Sequence, residues 1–189
     1  MSQAKSPLRL SLSGIEDDEG GSFSTGTLGI VTGKEIIPKS LTVAISGTRK
    51  GMTAPQEVQL RKIFMRLRKK YGQITLLHGD CFGVDEQTHK IAREFNFAVR
   101  IYPPMNDRQR AYCKGDELMP VQTYSVRNNN MVRDSDYVIC VPASKAEQMR
   151  GSGTWMTYRY AKRIRRPYTL LFPDGGKIGF NWQQFLYPD

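Results

Sequence analysis

The amino-acid sequence predicts an α/β fold in which a mostly parallel central sheet lies between two layers of helices. From Leu41 onward, short runs of branched and aromatic apolar residues alternate with longer segments whose apolar residues recur at helical spacing. This alternation is typical of successive strand–helix–strand units. Parallel sheets built from such units are covered on both faces, so we expect a single three-layer domain.

Five apolar runs are predicted as strands and five segments as helices. The strands are expected at residues 41–46, 74–78, 97–102, 136–142 and 168–172, and the helices at 56–71, 86–95, 123–133, 155–165 and 181–187. The first strand, LTVAIS, ends at Gly47, and Pro55 suits the first turn of the helix that follows Thr53. Residues 105–122 show no period and are predicted to be irregular.

Residues 1–38 differ in composition from the rest of the chain. They are rich in Ser and Gly, contain the acidic stretch EDDEGG and show no sustained period. We predict a flexible or loosely packed N-terminal arm over residues 1–38, followed by the α/β domain over residues 39–189. Neither an apolar run of about 20 residues nor the apolar core of a signal peptide is present, so a cytoplasmic protein without a membrane partner is predicted.

The charge of the chain predicts an anionic partner. The 189 residues have a formal net charge of +10 at pH 7. Residues 1–38 hold three basic and five acidic side chains, a net of −2, which leaves +12 for residues 39–189. Such an excess attracts phosphate-bearing molecules, from small nucleotides to nucleic acids.

The few cysteines and histidines favour neither a disulfide framework nor a metal site. Cys81, Cys113 and Cys140 are odd in number and far apart, and His78 and His89 have few companions. We therefore expect reduced thiols, no metal and no cofactor. Cys81 has only His78 nearby in sequence as a base, so no catalytic thiol is predicted.

Three polar loops that contain glycine follow predicted strands, at residues 47–51, 79–85 and 144–154. In open parallel sheets, ligands bind beyond the carboxyl ends of the strands, where these loops come together. The last loop, within MRGSGTWMTYRYA, precedes a helix whose first N–H groups can bind an anion. The sequence thus predicts a cradle for a phosphate at this edge of the sheet.

Four segments together resemble the SLOG superfamily. They are SGTRKG after the first strand, HGDCFGVDEQTHKIA after the second, RNNNMVRDSDYVICVP through the fourth and GSGTWMTYRYAKR after it. The superfamily includes the Smf/DprA proteins, the LOG cytokinin-activating phosphoribohydrolases and the YpsA-like proteins, and the GVD and GTW segments are most similar to the YpsA-like branch. The resemblance covers residues 41–173 and implies a Rossmann-like fold whose loops bind nucleotides or nucleotide-derived ligands.

Individual residues match the motifs of the superfamily. Gly151, Gly153 and Thr154 match the later part of its glycine-rich phosphate turn. Arg127 and Met131 stand where LOG-type members have an arginine and a methionine. Further matches are Gly79, Gly83 and Asp85 in the loop after the second strand and Gly47 after the first.

The phosphate turn also departs from the LOG pattern, which resembles Pro-Gly-Gly-x-Gly-Thr-x-x-Glu. Met149 and Arg150 replace the first Pro-Gly, and Thr157 stands where the catalytic glutamate belongs. Cleavage of a glycosidic bond needs a carboxylate near the departing base or the attacking water, and threonine cannot supply one. The resemblance therefore favours binding over phosphoribohydrolase activity, with no catalytic residue expected.

The sequence predicts a protein that binds a nucleotide or a nucleotide-derived ligand, such as an NAD-derived molecule or a cyclic nucleotide, as a sensor or a sequestering protein. The backbone amides of residues 151–154 are expected to hold its phosphate and residues 80–85 its sugar, although Ser152 and Asp85 also suit helix caps. The candidate ligand-binding residues are Gly47, Thr48, Arg49, Gly79, Asp80, Gly83, Asp85, Arg127, Asn128, Arg150, Gly151, Ser152, Gly153 and Thr154.

The sequence is also compatible with two other functions. One is an N-glycosidic nucleoside monophosphate hydrolase in which Asp80, Asp85 or Glu86 replaces the missing glutamate. The other is a DprA-like binder of single-stranded nucleic acid, which would use the basic residues Arg66, Arg68, Lys69 and Lys70. A homodimer or higher homo-oligomer is compatible with each of these functions.

Overall fold

A computed structural model describes residues 40–187 of the chain. The strands are Ser40–Gly47 (β1), Gln73–His78 (β2), Ala98–Ile101 (β3), Glu117–Leu118 (β4), Tyr137–Val141 (β5), Tyr168–Leu171 (β6) and Lys177–Phe180 (β7). The helices are Ala54–Lys70 (α1), Val84–Glu94 (α2), Tyr124–Arg133 (α3), Gly153–Arg163 (α4) and Gln183–Leu186 (α5). The predicted arm over residues 1–38 lies outside the described residues.

The strands form one sheet in the order β4-β3-β2-β1-β5-β6-β7. All neighbouring pairs are parallel except β6 and β7. In the central strand β1, Val43 pairs with Leu76 of β2 on one side and with Tyr137 of β5 on the other. The mostly parallel α/β fold is thus confirmed, and the reversal of strand order leaves a crevice beyond the carboxyl ends of β1 and β5.

Two edge strands were not predicted from the sequence. Both residues of β4 are exposed, as are three of the four residues of β7, so neither strand shows a buried apolar run. Pairing with a neighbour defines them instead: Arg100 pairs with Glu117, and Tyr168 pairs with Phe180. The irregular segment predicted at 105–122 therefore contains one short strand.

The helices cover the two faces of the sheet in separate groups. Leu60 and Phe64 of α1 and Ile91 of α2 belong to one buried apolar cluster. Met131 of α3 and Trp155 of α4 belong to a second cluster. Strand β5 lies between these layers and is buried along its whole length. No helix within residues 40–187 combines the length and the apolar character that a membrane crossing requires.

Helices α2 and α4 each begin two residues earlier than the sequence predicted, at Val84 and at Gly153. Helix α4 is capped by Ser152, whose hydroxyl accepts a hydrogen bond from the N–H of Trp155 at 3.3 Å. The earlier starts place Asp85 in the first turn of α2 and Gly153 in the first turn of α4, at the carboxyl edge of the sheet.

Candidate functional site

A cavity of about 850 Å³ opens at the carboxyl edge of the sheet. The loop after β1, the start of α3, the loop after β5 and the first turn of α4 form its wall. Ser46 and Gly47, at the end of β1, also line it. The cavity thus lies at the reversal of strand order, where open parallel sheets bind their ligands.

The first turn of α4 brings backbone donors to this cavity. Gly153 and Thr154 are the first two residues of the helix, and both line the cavity. The first N–H groups of a helix have no acceptor within the helix, and the hydroxyl of Ser152 serves Trp155 instead. The N–H groups of Gly153 and Thr154 are therefore suited to an anion, which the helix dipole also favours.

Two buried side chains of α3 line the cavity with unsatisfied polar atoms. Arg127 is 5% exposed and Asn128 is 3% exposed. Within residues 40–187, Nε of Arg127 and Oδ1 of Asn128 have no hydrogen-bond partner. Buried polar atoms are rarely left unpaired, so a bound molecule is the natural source of the missing partners.

Two sulfur atoms accept hydrogen bonds from the guanidinium of Arg127, and a glycine leaves the space in which it lies. Nη2 donates to Sγ of Cys81 at 3.2 Å, and Nη1 donates to Sδ of Met131 at 3.6 Å. A Cβ atom on Gly79 would lie 1.2 Å from Nη1, so the guanidinium occupies space that only glycine leaves free. Burial raises the pKa of the Cys81 thiol to about 11, which keeps it protonated at neutral pH.

Asp85 contributes a buried carboxyl group to the cavity wall. It is 5% exposed, and its Oδ2 accepts the N–H of Cys81 at 3.2 Å. Burial raises the pKa of this carboxyl to about 6, although the charge of Arg127 opposes the increase. Asp85 is therefore able to gain or lose a proton close to neutral pH.

The cavity lining has an excess of positive charge. Arg49 and Lys50 are exposed at its margin, Arg127 is buried, and Arg159 of α4 lies beside the loop after β5. Among the residues that line the cavity, Asp85 supplies the negative charge. Four cations against one carboxylate favour an anionic ligand.

Arg159 also fastens the loop after β5. Its Nη1 atom donates to the carboxylate of Glu147 at 3.1 Å and to the carbonyl of Gln148 at 3.0 Å, and its Nη2 atom donates to the carbonyl of Met149 at 3.2 Å. Gln148 and Met149 belong to the cavity lining. The loop that closes one side of the cavity is therefore anchored to α4.

Most of the predicted site residues come together in this cavity. Those that line it are Gly47, Thr48, Arg49, Asp85, Arg127, Asn128, Gly151, Ser152, Gly153 and Thr154. The other four, Gly79, Asp80, Gly83 and Arg150, are not part of its lining.

These four residues have other environments. The two carboxylate oxygens of fully buried Asp80 accept hydrogen bonds from Nε of Arg110 at 2.8 Å and from the N–H of Cys113 at 2.9 Å. Gly83 has a φ of +84°, and a Cβ there would lie 2.5 Å from the carbonyl oxygen of Arg49. Arg150 is exposed. Asp80 and Gly83 thus shape loops, because their contacts are with protein atoms.

His78, His89 and Cys113 form the one cluster of the described residues whose ligand atoms are close enough to consider for a metal ion, within 4.8 Å of one another. Nδ1 of His78 accepts the N–H of Asp80 at 3.0 Å, and Nε2 lies 3.1 Å from Nδ1 of His89. A neutral ring that accepts at Nδ1 carries its proton on Nε2, which then has no lone pair for a metal. Burial, with the nearby His89, lowers the pKa of His78 to about 3, so the ring is neutral.

Solved structures of two molybdenum cofactor proteins have a similar fold. The molybdenum cofactor binding protein from Rippkaea orientalis is 18% identical, with 71% of this chain and 77% of that chain covered and a TM-score of 0.53. The molybdenum cofactor carrier protein from Chlamydomonas reinhardtii is 19% identical, with 70% and 76% covered and a TM-score of 0.51. Both are members of the SLOG superfamily.

The chain has a Rossmann-like α/β fold similar to that of these two proteins.

DNA processing protein A from Streptococcus pneumoniae, a further SLOG member, is 17% identical, with 70% of this chain and 50% of that chain covered and a TM-score of 0.49. No family model and no curated protein sequence matches the chain. The similarity to the two molybdenum cofactor proteins confirms the predicted SLOG resemblance at the level of the fold, and the YpsA-like branch stays a prediction.

Thr157 is fully buried and does not line the cavity. Its hydroxyl donates to the carbonyl of Gly153 at 2.9 Å and lies 3.2 Å from Oγ of Ser46. The residue at the position of the LOG glutamate therefore ties the first turn of α4 to the end of β1.

Several residues that line the cavity were not predicted from the sequence. They are Ser46, Cys81, Gln109, Tyr124, Ser125, Ala143, Gln148, Met149, Met156 and Arg159. Gln109 comes from the segment before α3, where no apolar period gives a signal, and Tyr124 is the first residue of α3. Arg159 follows Ser152 by seven residues, about two helical turns, and this spacing was the signal available for it.

Proposed function

We propose that this chain binds a phosphorylated small molecule of the nucleotide type, including NAD-derived molecules and cyclic nucleotides, in the cavity at the carboxyl edge of its sheet. The observation that carries the proposal is the buried guanidinium of Arg127, which has an unpaired Nε and no ion-pair partner among the described carboxylates. The nearby carboxyl of Asp85 interacts with this positive charge, but it leaves Nε of Arg127 without an acceptor. A buried donor without a partner is costly, and an anionic ligand can supply the missing acceptor.

The first turn of α4 is the proposed position of the phosphate. The N–H groups of Gly153 and Thr154 lie at the positive end of an eleven-residue helix. Nδ2 of Asn128 lies 3.4 Å from the carbonyl of Gly153, so this turn is adjacent to the unpaired atoms of α3. A single ligand is therefore able to contact both elements.

Recognition without turnover agrees best with the chemistry of the phosphate turn. Thr157 stands where LOG-type enzymes have glutamate, and its hydroxyl is engaged with Gly153 and Ser46. Two proteins with a similar fold are described as a molybdenum cofactor binding protein and a molybdenum cofactor carrier protein, which is compatible with binding and retention of a ligand. A sensor or a sequestering protein is the role that we propose.

The test is direct binding of commercial probes, after mass spectrometry of any small molecule that the purified protein releases on denaturation. The probes are the four common nucleoside 5′-monophosphates, cyclic AMP and ADP-ribose, measured by calorimetry with the original protein and with Gly153→Val. A Cβ at Gly153 meets only Nδ2 of Asn128, at 3.5 Å, so the fold is expected to survive. The added methyl groups displace the phosphate, and we expect affinity to fall at least about tenfold.

Lys162→Val is the matched control, because it puts the same side chain on the exposed part of the same helix. It is expected to leave the affinity unchanged. Equal affinity of Gly153→Val and Lys162→Val for every probe that binds would contradict the proposal.

One observation favours a second candidate function, hydrolysis of an N-glycosidic bond. Of the three carboxylates considered from the sequence, Asp85 lines the cavity, Asp80 is occupied by Arg110 and Cys113, and Glu86 pairs with Lys90 at 2.7 Å. Burial raises the pKa of Asp85 to about 6, a value suited to general acid–base catalysis near neutral pH. Release of free base from the same probe mixtures, lost in Asp85→Asn, would support this function.

Binding of nucleic acid is expected to involve another part of the molecule. The basic last turns of α1 and α4, with Lys69 and Arg163, come shortly before the starts of β2 and β6. They therefore lie towards the amino edge of the sheet, whereas the cavity is at the carboxyl edge. Neutralising Arg66, Arg68 and Lys69 together is expected to leave the affinity for small probes unchanged.

A further inference from the structure

Tyr124 is an aromatic side chain of the cavity wall that the proposed phosphate site does not use. It is the first residue of α3, it is 37% exposed, and it belongs to the cavity lining. An exposed aromatic ring on a polar, cationic cavity wall offers a flat apolar surface. Such a surface is suited to stacking with a planar ring of a ligand.

Two contacts restrict the side chain of Tyr124, one at its hydroxyl and one at its ring. Its hydroxyl donates to Oε1 of Gln109 at 2.7 Å, and Gln109 is also part of the lining. The guanidinium carbon of Arg127 lies 5.5 Å from the ring centroid, a cation–π contact. Because these contacts restrict the ring, stacking costs less conformational entropy than it would for a side chain without them.

The spacing of three residues on α3 explains why the ring and the unpaired polar atoms face the same cavity. Tyr124, Arg127 and Asn128 occupy positions i, i+3 and i+4 of one helix, which share a face. Asn128 in turn contacts the carbonyl of Gly153 in the first turn of α4. A flat ring surface, a buried cation and an anion-binding helix end therefore follow one another along the cavity wall.

The size of the cavity agrees with a ligand larger than a single phosphate or sugar phosphate. Its volume of about 850 Å³ is near the upper end of the range for pockets that enclose organic ligands. A molecule that places an anionic group at α4 has room for a second, planar group at the start of α3.

We infer that Tyr124 is the stacking surface for a heteroaromatic ring of the ligand, so that the cavity selects molecules that carry both a phosphate and a planar base. This inference rests on the proposed function, because the phosphate at α4 sets the position of the rest of the molecule. It adds to that function a residue that distinguishes nucleotides from sugar phosphates and inorganic phosphate.

The test compares two probes that share a phosphate and differ in the base. One is whichever nucleoside 5′-monophosphate binds most tightly, and the other is ribose 5-phosphate. In Tyr124→Leu we expect the nucleotide to bind about tenfold to a hundredfold more weakly, the range of base stacking on aromatic side chains, and ribose 5-phosphate to change by less than about threefold.

Tyr124→Phe is the matched variant, because it keeps the ring and loses only the hydrogen bond to Gln109. It is expected to retain nucleotide affinity within about threefold. Quenching of a 2-aminopurine nucleotide on binding gives a second readout, since stacking quenches its fluorescence and contacts to the phosphate alone do not.

The outcomes separate this inference from the function on which it rests. If the unaltered protein binds ribose 5-phosphate as tightly as any nucleotide, or if Tyr124→Leu weakens both probes equally, the stacking inference is wrong and phosphate binding stands. If no phosphorylated probe binds the unaltered protein, the proposed function is wrong, and the inference with it.

Discussion

The guanidinium of Arg127 is buried in the cavity wall only because residue 79 has no side chain. Both residues were predicted from the sequence as ligand contacts, on their match to SLOG motifs. In the structure Arg127 lines the cavity, whereas Gly79 leaves the space in which the guanidinium lies. The same match to a motif thus corresponds to two different physical roles.

The role of Gly79 leads to a prediction at the scale of single residues. In Gly79→Ala, a Cβ placed 1.2 Å from Nη1 displaces the guanidinium of Arg127 from the cavity wall. We expect nucleotide affinity to fall at least about tenfold, because the buried cation no longer faces the ligand. Calorimetry with the tightest nucleoside monophosphate measures the change.

Gly72→Ala, at an exposed residue before β2, serves as the control for this substitution. It is expected to bind the nucleotide as the original protein does. An unchanged affinity in Gly79→Ala would show that Arg127 does not need its present position.

Among the elements, α1 connects the carboxyl edge of the sheet to the helix layer through one buried side chain. Gln56 lies in the first turn of α1, where its Oε1 accepts the N–H of Thr53 at 2.9 Å in a capping box. Its Nε2 donates to the carbonyls of Pro142 and Leu171, both at 2.9 Å. These carbonyls follow β5 and end β6, so one amide joins three elements.

Replacement of this amide gives a prediction for stability. Gln56→Leu leaves two buried carbonyls without their donor and removes half of the capping box. We expect the free energy of unfolding to fall by about 2 kcal/mol. Urea denaturation measures the loss, and Gln59→Leu on the same helix, at a half-buried residue, is expected to change the midpoint little. Equal stability of the two variants would contradict the prediction.

The sequence pattern did not determine the residues at which helices α2 and α4 begin. The prediction began α2 at Glu86 and α4 at Trp155, where apolar periodicity becomes clear. The structure begins them at Val84 and Gly153. The first turns are defined by caps and by contacts with neighbouring loops, such as the hydrogen bond of 3.1 Å from the N–H of Val84 to the carbonyl of Thr48.

For the whole molecule, the buried carboxyl of Asp85 couples stability to pH. Its pKa is raised to about 6 in the folded protein, from an ordinary value of about 4 in an unfolded chain. Between these pH values the folded state binds a proton that the unfolded state does not. The stability that this proton gives is therefore complete below about pH 4 and is lost as the pH rises through 6.

Asp85→Asn removes this titration and gives a signed prediction. The free energy of unfolding of the variant, relative to that of the original protein, is expected to rise by about 2 kcal/mol between about pH 4 and pH 7. His78, whose lowered pKa acts in the opposite direction, is present in both proteins, so its effect cancels in the difference. Urea denaturation of both proteins across this pH range measures the difference in their free energies of unfolding. A difference that stays constant with pH would contradict the prediction.

The sequence by itself determined the class of fold, the five inner strands and the loops that carry the cavity. Each of these depends on local patterns: buried strands are continuous apolar runs, helices have a period, and glycines mark the loops between them. The edge strands β4 and β7 lack such a pattern, because they are fixed by pairing with a neighbour.

Only the tertiary structure decided which of the predicted residues face the cavity. Asp80 and Asp85 are five positions apart in one loop and helix start, yet Asp80 is enclosed by Arg110 and Cys113 whereas Asp85 lines the cavity. Gln109 joins the cavity wall from a segment without any period, and Tyr124 joins it from the first turn of α3. The physical reason is that the direction of a side chain and its partners depend on contacts between residues far apart in the chain, and no local pattern specifies them.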